Sequence, residues 1–215
     1  MATGDKLFAT LAGRPLLAHV IAGFQDSPEV DRIAVVASSA NIERVRELVA
    51  EHVFSKVTAV CEGGARRQDS VRLGLEALGE CDWVLVQDGC RLLIEPVIAA
   101  GLEAAAETGA AIPAVPVSDT LKRAGEGNVI DGTVARAGLW AAQTPQVFRY
   151  DLLARAHREV TGSVTDDAAM LEALGLPVRL FPGSPLNLKV TTAGDLALAE
   201  ALLSRPGVSQ PARGA

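Results

Sequence analysis

Aromatic side chains are scarce in this sequence: Phe, Tyr and Trp make up 4% of it, against 49% for all hydrophobic residues. The core must therefore be built largely from Ala, Val, Leu and Ile, a composition that suits helices layered on a sheet. Cysteine is sparse too. Cys61, Cys81 and Cys90 are odd in number with no close pair, which fits a reducing compartment better than a disulfide framework and suggests no structural zinc site. No apolar run reaches the length of a membrane span, and the first residues show no basic region, apolar stretch and cleavage site in succession. The expected location is cytoplasmic. Positive charge is outnumbered, with 20 Lys and Arg against 26 Asp and Glu, and the net charge of −6 argues against a general binder of nucleic acid or anionic membrane.

At 215 residues, one domain over 1–205 is the default, and the stretch 206–215, with Pro206, Gly207, Pro211 and Gly214, reads as a disordered tail. "PLLAHVIAGF" at 15–24 has helical apolar spacing, with Pro15 where a first turn tolerates it. "RIAVVAS" from Arg32 is a β-branched run suited to a buried parallel strand, and "NIERVRELVAEH" follows as a helix with Asn41 as N-cap. The alternation continues through "KVTAVCE", "DSVRLGLEAL", "DWVLVQD", "EPVIAAGLEAAAETG" and "AAIPAVPV". Strands alternating with amphipathic helices predict a doubly wound, mainly parallel α/β sheet. Residues 117–139 break the rhythm, with two extended halves around Gly-Glu-Gly-Asn that predict a projecting β-hairpin. Beyond it, "YDLLARAHREV" and "TDDAAMLEALG" read as helices, the second capped by Thr165 or Asp166, "PVRLFPG" and "NLKVTT" as strands, and "AGDLALAEALL" as a last helix.

In open α/β sheets ligands bind beyond the C-terminal strand ends, so the strand-to-helix junctions carry the candidates. In "GGARRQDS", Gly63 and Gly64 allow close backbone approach, a helix N-terminus offers free N–H groups, and Arg67 is suited to paired hydrogen bonds with phosphate. The same residues read equally as an ordinary glycine turn with a capped helix. In "VQDGCR", Asp88 ends a buried strand, where a carboxylate serves either a phosphate-bound divalent metal or a helix cap. Cys90 has no histidine at a recognisable partner spacing and reads as a passive thiol. A third group, Arg136, Gln143, Thr144, Gln146, Asn187 and Lys189, gathers where apolar periodicity lapses. Together these cationic groups, the strand-end carboxylate and the glycine turns predict a polyanionic, nucleotide-type substrate. Phosphoryl or nucleotidyl transfer fits best, because it needs positioned positive charge and a metal more than a protein nucleophile.

"GGARRQDSVRLGL", "PVSDTLKR", "VARAGLWAAQTPQVF", "VTDDAAMLE" and "NLKVTTAGDLALAEALL" together resemble the 2-C-methyl-D-erythritol 4-phosphate cytidylyltransferase family, in its order and spacing from Lys6 to Leu203. The resemblance implies a Rossmann-like nucleotidyltransferase fold with the hairpin as a dimerisation arm. It also implies attack of a methylerythritol phosphate oxygen on the α-phosphorus of CTP, with release of pyrophosphate and with Mg2+ bridging the phosphates. On this reading Lys6 is the lysine that stabilises the pentavalent phosphorus, and Arg136 and Lys189 position the methylerythritol phosphate. Asp88, Arg91 and Thr120 match further substrate-pocket positions, and Gly64 with Ser70 matches the cytosine-reading segment. The arm exchanges across a homodimer in the family, so Thr120 and Arg136 would serve the partner's site.

Two departures accompany the match. The family's His-Asp-Ala-Ala-Arg-Pro segment is "QDGCRL" here, keeping only Asp88 and Arg91. The family also places an apolar strand and a glycine- and arginine-bearing phosphate loop before its lysine, and no such strand precedes Lys6 in this sequence. Five buried apolar residues at about 1.5–3 kcal/mol each would contribute roughly 8–15 kcal/mol, comparable with a domain's whole net stability. The expectation is therefore a truncated version of a longer chain. Two rival readings go with the match: a cytidylyltransferase for another polyol phosphate such as ribitol 5-phosphate, and a catalytically silent paralogue that binds nucleotide without turnover.

Overall fold

The computed structural model describes residues 5–92 and 96–204, so the proposed tail and the segment ahead of Asp5 lie outside the described residues. After a single 3-10 turn at Asp5–Phe8, two-residue strands β1 (Thr10–Leu11) and β2 (Arg14–Pro15) pair antiparallel around Ala12 and Gly13, which both adopt positive φ. Pro15 then precedes helix α1 (Leu16–Gln25) as expected. The strand and helix alternation follows: β3 (Ile33–Ala37), α2 (Ile42–Glu51), β4 (Val57–Glu62), α3 (Arg67–Leu78), β5 (Trp83–Val86), α4 (Pro96–Ala105) and β6 (Ala110–Pro116). Next come the hairpin strands β7 (Leu121–Ala124) and β8 (Ile130–Val134), then β9 (Trp140–Ala142), β10 (Gln146–Arg149), α5 (Tyr150–Glu159), α6 (Ala168–Ala173), β11 (Arg179–Pro182) and α7 (Ala193–Leu203).

The α/β architecture matches the expectation, and its sheet has a seam. One body is ordered β11-β6-β10-β5, with β11 parallel to β6 and β10 antiparallel to both β6 and β5. Three of its four strands thus run one way. β9 lies antiparallel to the far end of β6, so β9 and β10 are one strand interrupted at Gln143–Pro145. The second body is β3 parallel to β4. Among the described residues, β3 pairs only with β4 and β5 only with β10, and a cavity of about 710 Å³ is lined by both β3 and β5.

Side-chain packing joins the two bodies. α3 places Leu75 against Val84 and Val86 of β5, Phe148 of β10, and Leu153, Met170 and Leu171 of the helices behind them. The same helix lies so close to β3 that a Cβ on Gly74 would sit 2.8 Å from Val36 Cγ2. On the opposite face, α1 packs Leu17, Ala18 and Ile21 on Val35, and α4 packs Val97 and Ala105 on Ala111, Val147 and Phe181. Helices therefore cover both faces, the doubly wound arrangement that the alternation predicted.

Local differences from the sequence reading have identifiable causes. "NLKVTT" forms only an isolated bridge, Lys189 opposite Arg91, and Thr192 turns instead to cap α7 by accepting from the Asp195 N–H at 3.2 Å. Asn41 sits at the start of α2 without a side-chain cap bond. The predicted hairpin is present, with Leu121 opposite Val134 and a turn through Glu126–Asn128. It stands away from the core and leaves Val129 and Ile130 exposed at 68% and 61%.

Candidate active site

A cleft opens where β3 and β5 end and α3 begins, and Lys6, Arg67, Ser70, Asp88, Gly89, Cys90 and Lys189 line it. The turn before α3 depends on its glycines: a Cβ on Gly64 would lie 2.4 Å from Asp69 Cβ, and one on Gly63 would lie 2.7 Å from Ser70 Oγ. With no side chain in the way, the Gly64 N–H donates to Ser70 Oγ at 3.1 Å, folding the loop onto the first helical turn. The two open readings of this segment divide between its arginines. Arg66 belongs to the cap, its backbone N–H and Nε both donating to Asp69 Oδ2 at 3.2 and 2.9 Å. Arg67 turns away from the cap into the cleft.

There the charges alternate. Arg67 Nη1 meets Asp167 Oδ2 at 2.6 Å and its Nε lies 3.5 Å from Asp88 Oδ1, while Lys189 Nζ holds Asp88 Oδ2 at 2.8 Å. Burial opposes ionisation of Asp88, but the Lys189 hydrogen bond and ammonium, with Arg67 and Arg91, outweigh it and hold the carboxyl below its ordinary range. For Arg67 burial likewise acts against the charge, and the Asp167 carboxylate overrides it and strengthens the guanidinium's hold on its proton. Lys189 remains about half exposed, free to turn toward an anion.

Arg91 lies beneath this surface. It is buried, its Nη1 donates to the Asn187 carbonyl at 2.7 Å, and burial lowers its pKa. The bridge between Arg91 and Lys189 pins the segment carrying Lys189 to the end of β5. Cys90 is also buried, within an apolar cluster with Leu11, Leu16 and Val190, as a passive thiol should be.

Gln143, Thr144, Gln146 and Asn187, singled out for their polarity, form a buried scaffold. Gln143 Nε2 donates to the Ser184 carbonyl at 2.9 Å, Asn187 Nδ2 donates to the Thr144 carbonyl at 2.8 Å, and Thr144 Oγ1 accepts from the Asp88 N–H at 3.2 Å. Gln146 bridges Asp166 Oδ2 and the Ala168 N–H. This network fills the interruption between β9 and β10, whose Thr144–Pro145 bond is cis, and it ties three chain segments to the backbone of Asp88. Asp167 is the residue that sequence reasoning missed. It stands inside "VTDDAAMLE", where the sequence offers Thr165 or Asp166 as the helix cap.

Thr120 and Arg136 are exposed on the hairpin and do not line this cleft. Arg136 donates to the Ser118 carbonyl, which anchors it to the base of its own arm. As for a metal, no group of three or more His, Cys, Asp or Glu is placed to hold one among the described residues. Asp88 is the carboxylate that stands beside Arg67 and Lys189 in the cleft, and one such ligand suits Mg2+ carried largely by substrate phosphates.

Comparison with known proteins decides the family. The family model described as 2-C-methyl-D-erythritol 4-phosphate cytidylyltransferase matches residues 1–205. The chain belongs to this family. The cytidylyltransferase of Dehalococcoides mccartyi strain CBDB1 is 52% identical over 202 residues, spanning 94% of this chain and 89% of that protein. Among solved structures, a 4-diphosphocytidyl-2C-methyl-D-erythritol synthase superposes with a TM-score of 0.83 at 35% identity, covering 94% of this chain and 95% of its own. The 2-C-methyl-D-erythritol 4-phosphate cytidylyltransferase of Thermus thermophilus superposes with a TM-score of 0.79 at 38% identity, over the same 94% and 95%. Cytidylyltransferases are nucleotidyltransferases, the class that the charged cleft suggested. No helix among the described residues is long and apolar enough to cross a membrane.

Proposed function

We propose that this chain transfers a cytidylyl group from CTP to 2-C-methyl-D-erythritol 4-phosphate in isoprenoid precursor synthesis. The observation that carries the reading is the convergence of Arg67 and Lys189 on Asp88, from positions far apart in the sequence, with Lys6 lining the same cleft. A phosphate oxygen of the polyol phosphate, already anionic, attacks the α-phosphorus; a new P–O bond forms, the bond to the β-phosphate oxygen breaks, and pyrophosphate leaves. No protein nucleophile is required, consistent with the burial of Cys90. Fixed cations supply the catalysis by meeting the charge that grows on the equatorial oxygens.

In this scheme Lys6 meets the α-phosphoryl group, and Lys189 and Arg136 hold the methylerythritol phosphate. Gly64 and Ser70 shape the cytosine pocket, Arg67 grips nucleotide phosphate, Arg91 supports the loop beneath, and Thr120 contacts substrate from the arm. When bound, Mg2+ neutralises phosphate charge, and Asp88 is the residue that would hold it. The exposed Val129, Ile130, Val134, Leu139 and Trp140 on and beside the arm support a homodimer joined through it, with Thr120 and Arg136 serving the partner's cleft. A cytoplasmic location accords with the thiols of Cys61, Cys81 and Cys90, all free.

The test is CTP-dependent pyrophosphate release, with methylerythritol phosphate and ribitol 5-phosphate in parallel. Release with the first substrate alone supports the proposal. A preference for ribitol 5-phosphate, or nucleotide binding without release from either, overturns it.

A further inference from the structure

Asp167 is wholly buried, yet it does little for the helix it opens. It stands at the N-cap of α6 without a side-chain cap bond, and its neighbour does that work, Asp166 Oδ1 accepting from the Ala169 N–H at 3.1 Å. One oxygen of Asp167, Oδ1, has no hydrogen bond; Nε2 of buried His157 lies 3.7 Å from it and is also without a hydrogen bond. A carboxylate taken out of water is costly unless paired. The pairing here is the 2.6 Å contact of Oδ2 with Nη1 of Arg67, a residue 100 positions earlier in the chain.

Arg67 differs from Asp167 in reaching the surface: its side chain is 37% exposed at the cleft mouth. With Nη1 held from behind by Asp167 and Nε near Asp88, its Nη2 has no hydrogen bond among the described residues. A long, rotamer-rich side chain is thereby fixed with a donor edge toward the cleft before any ligand arrives, which removes an ordering cost from binding.

We propose that Asp167 is a positioning residue that acts through Arg67 on the nucleotide phosphates. The inference rests on the reading of CTP as substrate and goes beyond it by assigning a role to a buried residue outside the cleft. Because Asp167 reaches the cleft through Arg67, its effect falls on CTP and not on the polyol phosphate, and on binding more than on turnover.

The experiment measures CTP binding by calorimetry, and KM and kcat for both substrates, in the full chain and in D167N, D167E, R67A and the double variant D167N/R67A. D167N should weaken CTP binding on the order of tenfold, the scale of lost side-chain orientation. The KM for the polyol phosphate and kcat should stay near their starting values. In the R67A background the D167N change should have no further effect. Should D167N fail to fold, D167E keeps the charge but shifts it by one methylene, and should show the same selective loss. Equal CTP affinity in the folded Asp167 variants, or an undiminished D167N effect when Arg67 is absent, overturns the inference while leaving the substrate reading intact. Failure of the unaltered chain to bind CTP overturns the substrate reading, and this inference with it.

Discussion

The hairpin offers a test in which two inactive proteins should make an active one. Lys6 lines the cleft of its own chain, whereas Arg136 stands on the projecting arm, exposed and away from that cleft. Removing either cation, by Lys6→Ala or Arg136→Ala, should lower turnover about a hundredfold, the usual cost of one fixed charge at a phosphoryl transition state. If arms exchange across a two-fold dimer, each site combines Lys6 of one chain with Arg136 of the other. A mixed dimer of the two variants then has one site carrying both substitutions and one carrying neither. With random pairing of equal amounts, half the dimers are mixed and half their sites intact, so activity should recover to about a quarter of the unsubstituted level. The assay is pyrophosphate release at saturating CTP and methylerythritol phosphate, after subunits tagged differently are unfolded together and refolded, with mixed dimers verified by sequential affinity capture. Verified mixed dimers with activity no higher than the separate variants would refute arm exchange, since every site would then contain one lesion.

Other predictions follow from single contacts. Gly64→Ala brings a methyl against Asp69, breaks the loop's bond to Ser70, and should raise the KM for CTP roughly ten- to hundredfold, read by steady-state kinetics. Asp88 has a depressed folded pKa, so its ion pairs add stability above the unfolded value of about 3.9 and lose it as pH falls through the folded value. The stability difference between the unsubstituted chain and Asp88→Asn should therefore be level near neutrality and shrink below about pH 4, measured by urea unfolding across pH. Phe148→Ala empties a fully buried site between β5 and β6 and should cost about 3–5 kcal/mol in the same measurement.

The alternation of strands and helices was legible because its apolar periods are long and agree with their flanking turns, as in α1, β3 and β5. The arm was legible because its turn residues allow only a tight reversal. The interrupted β9 and β10 strand was not, since the polar run Gln143, Thr144, Gln146 looks like a ligand site until its partners at Ser184, Asn187 and Asp166 are brought beside it from distant sequence. Neighbouring residues of like type were equally opaque. Arg66 and Arg67 are chemically the same, and only the direction imposed by the start of α3 gives one to the cap and the other to the cleft. Asp166 and Asp167 repeat the lesson. No pattern within "TDD" says which carboxylate caps a helix and which crosses the fold to an arginine.

Helix α3, packed against both β3 and β5, bears on how the charges of the cleft are held. Among the described residues, backbone hydrogen bonds bind strands within each body, and the side chains of α1, α3 and α4 join the two bodies. The cleft lies along this joint, with Arg67 riding on the helix that spans it and Asp88 fixed to β5. The charges that meet a nucleotide are thus set by two elements, the start of α3 and the end of β5, so any change at either one alters their spacing.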